Sequence, residues 1–248
     1  MAQLDGWRKR FAERQYAKPA PEKEEGMFSP MRYFVAGLVD TFMRIFYPYE
    51  CEGLENIPKE GSAILCGNHT SFLDIPYVSF TYVYSGRWLY WVARESLLRH
   101  PLLAYVFSLF GVIPVNTEKV SPSSVIEIFK RLREDKVIGL FPQGTRCKTQ
   151  GKLENTPPQT GTIEFAMRTN SPIVPFAIDS EFKPFRKAKI IYGEPYYIKK
   201  DKKRLSQEES MAEAILLMER IFKLIGRDYP LKNKAKLTGG ILHDGNNI

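Results

Sequence analysis

The sequence predicts an α/β fold: a mostly parallel sheet flanked by helices, with an N-terminal amphipathic helical appendage. Three observations predict it. Short apolar, β-branched or aromatic runs recur at 63–66, 88–93, 111–115, 137–141, 172–178 and 188–192. Helix-length patterns separate most of them, near 71–84, 96–109, 120–134 and 159–169, and a last amphipathic one covers 207–225. Polar residues collect where the apolar runs end. Such alternation builds parallel sheets, because each return to the same edge needs a crossover helix. The expected organisation is a helical membrane-interface appendage over 1–48 and an α/β domain over 49–248. The last strand is expected to pair antiparallel at an edge.

Taken in order, residues 1–26 are charged, with Trp7, Phe11 and Tyr16 spaced among Arg8, Lys9, Arg10 and Arg14. A short amphipathic helix and a linker rich in Pro and Glu fit that stretch. Met27 to Tyr47 has a large apolar face and a narrow polar stripe. Arg32, Ala36, Gly37, Asp40 and Arg44 share one side; Phe34, Val35, Leu38, Val39, Phe42, Ile45 and Phe46 take the other. One reading is a helix packed on the domain. The other lays it in the plane of a bilayer, with Arg32 and Arg44 at the headgroups and Phe34, Leu38, Phe42 and Phe46 in the acyl boundary. A true span is disfavoured by Arg32, Asp40 and Arg44 at mid-bilayer depth.

The strand-like run Ala63 to Cys66 leads into Gly67-Asn68-His69-Thr70-Ser71-Phe72-Leu73-Asp74. This places His69 on the turn and Asp74 in the first turn of the next helix, where open α/β sheets carry their chemistry. A histidine oriented by a carboxylate serves as a general base. Ser71 and Asp74 also match a capping box, so the carboxylate has a purely structural reading. A spacing of five separates two side chains on a regular helix; they meet only if His69 lies outside it and folds back.

The ends of the other runs supply basic groups. The second ends in Arg94 and Glu95, and the third in Asn116, Thr117, Glu118 and Lys119. The fourth ends in Phe141-Pro142-Gln143-Gly144-Thr145-Arg146-Cys147-Lys148. On a parallel sheet these clusters share one edge. Gly144 permits close backbone approach, Thr145 offers a hydroxyl, and Arg146 can grip a phosphate through two parallel hydrogen bonds.

Charge and cysteine usage bound the partners. The net charge is +8, which suits an anionic ligand or surface without choosing among them. Three widely spaced cysteines argue against a disulfide framework or zinc site, and the scattered His69, His100 and His243 suggest no metal. No secretory signal is expected at the polar N-terminus, and no run of about eighteen apolar residues is present.

Asn68-His69 with Asp74, followed by Phe141 to Arg146, resembles the glycerolipid acyltransferases. Within them it is most similar to the bacterial lysophosphatidic acid acyltransferases of the PlsC type. Gly111 to Val115 and Ile173 to Phe176 resemble the family's second and fourth blocks, and the likeness covers roughly 50–200. Two positions depart from the pattern: Gln143 stands where the family usually has Glu, and Thr117 where Arg is common.

The resemblance implies acyl transfer from an acyl-carrier-protein or coenzyme A thioester to the hydroxyl of lysophosphatidic acid. His69 would act as base, oriented by Asp74, and Arg146, Thr145, Gly144, Arg94 and Lys119 would hold the acceptor phosphate. No cofactor is implied, and the expected location is the cytoplasmic face of a membrane, peripheral or monotopic. Glycerol-3-phosphate or another lysophospholipid is the alternative acceptor. The apolar helices at 71–84 and 96–109 are candidates for the acyl cleft, and the basic stretches 199–204 and 227–236 for attraction to anionic lipid. Rival classes are a nucleic-acid binder, a noncatalytic membrane protein on the same fold, and a hydrolase. The first lacks a recognised binding motif and the last lacks a Gly-x-Ser-x-Gly turn.

Overall fold

Buried apolar runs pair into a sheet whose two faces are both covered. The computed structural model describes residues 29–83, 87–116, 121–198 and 204–242. Helix α1 spans Ser29–Phe46, followed by strand β1, Tyr49–Glu52. Then come β2 Ala63–Gly67, α2 Asp74–Val83, β3 Leu89–Arg94, α3 Pro101–Leu109, β4 Ile113–Val115 and α4 Pro122–Arg133. The rest of the chain gives β5 Val137–Leu140, α5 Gln150–Glu154, α6 Gly161–Thr169, β6 Ile173–Asp179, β7 Ala188–Tyr192, α7 Gln207–Lys223 and α8 Lys234–Leu237.

The sheet order is β1-β7-β6-β2-β5-β3-β4. Strands β6, β2, β5, β3 and β4 run parallel to one another; β7 is antiparallel to β6, and β1 is parallel to β7. The antiparallel pairing of the last strand thus occurs, but not at an edge, because β1 covers its other side. The tetrapeptide Tyr49-Glu50-Cys51-Glu52 carries two carboxylates in four residues, which hides it as a strand.

Alternate residues explain why the central runs are apolar throughout. Ile64 and Cys66 face one core, and Ala63 and Leu65 face the other. The first core holds Ile128 and Leu132 of α4, Ile163 of α6, and Ile215, Met218 and Ile221 of α7. The second holds Tyr77 and Val78 of α2 with Met43 of α1. The helix after β2 therefore lies on one face and the helices flanking β5 on the other. That reversal opens a crevice at the carboxyl ends of β2 and β5.

Local chemistry fixes the helix ends. Prolines 76, 101 and 122 sit in first turns, where a missing N–H costs no intrahelical bond. Ser121 Oγ accepts from Ser124 N at the start of α4, and Ser206 and Glu209 form a full capping box on α7. Gly67 closes β2 because the Phe176 ring lies 2.0 Å from where a Cβ would stand.

Helix α1 rests on the domain by its narrow stripe. Ala36 and Met43 are buried, and Asp40 accepts from Arg44 Nε at 2.8 Å and from Tyr49 Oη at 2.7 Å. The wide face is left in solvent: Phe34 is 63% exposed, Leu38 58% and Phe42 50%. Arg44 sits on the polar side with Asp40, as the helical wheel places it, and its guanidinium is turned toward Asp40 and Tyr49. No helix among the described residues is long and apolar enough to cross a membrane.

Candidate active site

The segment between β2 and α2 brings His69 back over the helix start. His69 Nδ1 lies 2.8 Å from Asp74 Oδ2. The same oxygen accepts the backbone N–H of Thr70 at 2.7 Å and of Ser71 at 2.8 Å. The capping and orienting roles are therefore one arrangement. Asp74 is fully buried, and its Oδ1 has no hydrogen-bond partner among the described residues. An oxygen that already accepts two amide protons is an acceptor for the ring as well, which assigns the proton to Nδ1 and leaves Nε2 as the basic nitrogen. Ser71 Oγ accepts from Leu73 N at 3.2 Å and finishes the turn.

Residues of the next strand ends hold the ring. Phe141, just past β5, stacks on His69 with centroids 3.9 Å apart and planes 8° apart. Trp91 of β3 stacks in turn on Phe141, with centroids 5.1 Å apart. His69 O accepts from Cys147 N at 2.8 Å, which ties its turn to the 141–147 turn. Asn68 is fastened to β6: its Oδ1 accepts from Ile178 N at 2.8 Å and its Nδ2 donates to Ile178 O at 3.0 Å. Neighbours on three strands thus fix the imidazole before any substrate arrives.

The basic cluster forms in part. Gly144 sits at φ 62°, a left-handed turn position that favours glycine. Its N–H donates to Phe141 O, which closes the turn and removes that amide as an oxyanion donor. Its carbonyl accepts from Arg94 Nη2 at 3.1 Å and Nε at 3.3 Å, so Arg94 clamps the turn from the end of β3. Thr145 Oγ1 accepts from Lys152 Nζ at 3.3 Å, and Arg146 lies 3.4 Å over the Phe72 ring. Arg146 Nη1 is buried without a hydrogen-bond partner among the described residues. Lys119 lies outside the described residues. Gln143 is buried; its Nε2 donates to Cys147 Sγ at 3.3 Å, and its Oε1 is unpartnered among the described residues.

Burial pushes the Cys147 thiol above its ordinary value, as it does that of Cys66 more strongly. Beside the 68–71 segment a cavity of about 450 Å³ opens toward α7, lined by Asn68, Gln143, Cys147, Ile178, Phe222 and Arg227. His69 is not among its lining residues.

Sequence reasoning missed Phe72, Phe141 and Lys152 as site residues. Phe141 and Phe72 lie inside the quoted motifs, but only the fold shows that each faces a functional group. Of the helices proposed to line an acyl cleft, α2 spends Tyr77, Val78 and Tyr82 on the core, while Leu102 and Tyr105 of α3 are exposed. The basic C-terminal residues are largely matched inside the domain: Arg227 pairs with Asp179, Lys232 with Glu154, and Lys234 with Glu219. Residues 199–203 lie outside the described residues.

The chain is similar to proteins already described. A 1-acyl-sn-glycerol-3-phosphate acyltransferase of Borreliella burgdorferi is 34% identical over 128 residues, 51% of this chain and 49% of that protein. The matched region therefore spans about half the length of that relative. An enzyme of the same description from Bacillus subtilis is 25% identical over 148 residues, 58% of this chain and 71% of that protein. The crystal structure of the 1-acyl-sn-glycerophosphate (LPA) acyltransferase PlsC from Thermotoga maritima superposes with a TM-score of 0.58. It covers 82% of this chain and 85% of its own at 21% identity, and so bears on the fold alone. The Acyltransferase family model matches residues 48–179, from the first strand through the last parallel one, with both the His69 and the Arg146 turns inside it. The chain belongs to the acyltransferase family.

Proposed function

We propose that the protein transfers an acyl chain from an acyl thioester to the free hydroxyl of lysophosphatidic acid, giving phosphatidic acid. The observation that carries this reading is the 2.8 Å contact from His69 Nδ1 to a buried Asp74, in a chain of this family. Nε2 of His69 takes the proton of the acceptor hydroxyl while its oxygen attacks the thioester carbonyl. The carbon–sulfur bond then breaks, and the leaving thiolate receives the proton from the imidazolium. Asp74 holds the ring in the required tautomer and stabilises the charge that develops on it. No protein nucleophile is needed, because the acceptor supplies it.

Arg146 is the candidate for the acceptor phosphate, with Thr145 and Lys152 beside it; Lys119 remains a candidate from sequence alone. Its buried Nη1 offers a donor that no described residue uses. Holding the phosphate fixes the distance from the hydroxyl to His69, which is how binding energy becomes rate. The donor is a carrier-protein or coenzyme A thioester. The exposed face of α1 lies on the cytoplasmic surface of the membrane, where the acceptor and product reside.

The test is product formation by purified protein with lysophosphatidic acid and acyl-coenzyme A, then acyl-carrier protein. Phosphatidic acid from the wild type and none from His69→Ala is expected. Equal product from the two proteins would overturn the base assignment.

A further inference from the structure

We infer that the loop joining β6 to β7, residues 180–187, is a second lipid-contacting element that sets Phe185 into an anionic bilayer surface beside α1. The inference rests on the reading that α1 lies on a membrane, and adds to it a segment far away in sequence.

The loop holds two phenylalanines in the left-handed backbone region, Phe182 at φ 52° and Phe185 at φ 61°. Bulky side chains rarely adopt that conformation, so each needs a compensating contact. Phe182 has one: partly buried, it packs against the core near Tyr77, with ring centroids 6.4 Å apart. Phe185 is 69% exposed, and among the described residues its one aromatic contact is with Phe46, at 5.7 Å. Glycine would make the same turn without strain. Folding alone gives no reason for a ring at this position.

The backbone places that ring beside the apolar face of α1. Phe185 N donates to Phe46 O at 2.6 Å, and Ala188 N donates to Pro48 O at 2.9 Å. Phe46 in turn lies 4.8 Å from Phe42. Phe185, Phe46 and Phe42 thus form one aromatic surface built from two segments and continuous with Leu38 and Phe34.

Charge identifies the occupant. Lys183, Arg186 and Lys187 flank Phe185 along the loop and are themselves exposed, against Glu181 within the loop. Glu181 pairs with Lys183 at 3.1 Å and Glu50 with Lys187 at 2.8 Å, both at the surface. An exposed ring on a loop rich in lysine and arginine matches the boundary between acyl chains and anionic headgroups. Protein–protein interfaces, by contrast, are depleted in lysine.

Vesicle co-sedimentation of the full chain tests this, using phosphatidylcholine vesicles with and without phosphatidylglycerol. Wild type, Phe185→Gly, Phe185→Trp and the α1 variant Leu38→Ser/Phe42→Ser are compared, with thermal melts of each. Phe185→Gly should bind anionic vesicles about fivefold to tenfold more weakly, with a melting temperature within a few degrees of wild type. Phe185→Trp should retain binding and shift its emission to the blue on vesicles. Wild-type binding that Phe185→Gly leaves unchanged overturns the inference while the α1 reading stands. A wild type that binds neither vesicle overturns both. A large drop in melting temperature for Phe185→Gly, or a lipid-free dimer abolished by it, would assign the ring to the fold or to a second copy instead.

Discussion

The guanidinium of Arg146 lies 3.4 Å above the ring of Phe72, so one residue of each motif forms a stacked pair across the crevice. Phe72 is itself 62% exposed and gains little from burial. Its contribution is to hold a planar cation in one orientation. Phe72→Ala should therefore raise KM for lysophosphatidic acid about fivefold to twentyfold, with kcat changed far less. Phe72→Trp should restore KM, whereas Arg146→Lys should not, because an ammonium has no plane to stack. Steady-state kinetics with varied acceptor check both.

Asp74 supports two functions through one oxygen, and two substitutions separate them. Asp74→Asn keeps an acceptor for the Thr70 and Ser71 amides but loses the charge facing His69. Its turnover should fall on the order of a thousandfold, with the melting temperature little changed. Asp74→Ala strands two amide donors in a part-buried turn and should also cost about 1–3 kcal/mol of stability. Turnover and denaturant titration, measured on both variants, distinguish the roles.

Asn68 staples the His69 turn to β6 through both backbone groups of Ile178. Asn68→Ala should lose about 2–4 kcal/mol, and Asn68→Asp should be no better, since a carboxylate oxygen would face the Ile178 carbonyl. Urea unfolding gives the stability change directly.

Alkaline pH should destabilise the fold. Burial raises Cys66 well above its ordinary 9.0, raises Cys147 from the same value, and raises Tyr77, Tyr192, Tyr196 and Tyr229 above 10.0. The folded chain then keeps protons that the unfolded chain releases, so its stability is fully present below pH 9 and falls as the pH rises further. Melting temperature measured from pH 8 to pH 11 should be flat at first and then decline. Cys66→Ala should make the decline shallower between 9 and 10.

The sequence made the parallel core legible because its strands are short, apolar throughout and separated by patterned helices. Val137 to Leu140 and Ile173 to Ile178 could be read with no knowledge of their neighbours. Tyr49 to Glu52 could not, since it pairs on one side only and carries charge. Helix α5, a single polar turn, has no periodic face to detect. The same division holds at the site. The His69 and Asp74 pair was visible because it is local, closed by one turn of chain. The stack of Phe141 on His69 and the clamp of Arg94 on Gly144 depend on β5 lying between β2 and β3. That order is a property of the whole sheet.

The bonds from Cys147 N to His69 O and from Asn68 to Ile178 join three segments that are far apart along the chain. A chimera that imported only the His69 turn from a relative would break both joints unless the recipient's 141–147 and 173–179 segments matched them. The His69 turn is therefore not a modular loop of this scaffold. Laboratory recombination should succeed at crossovers outside 67–179 and fail more often within it.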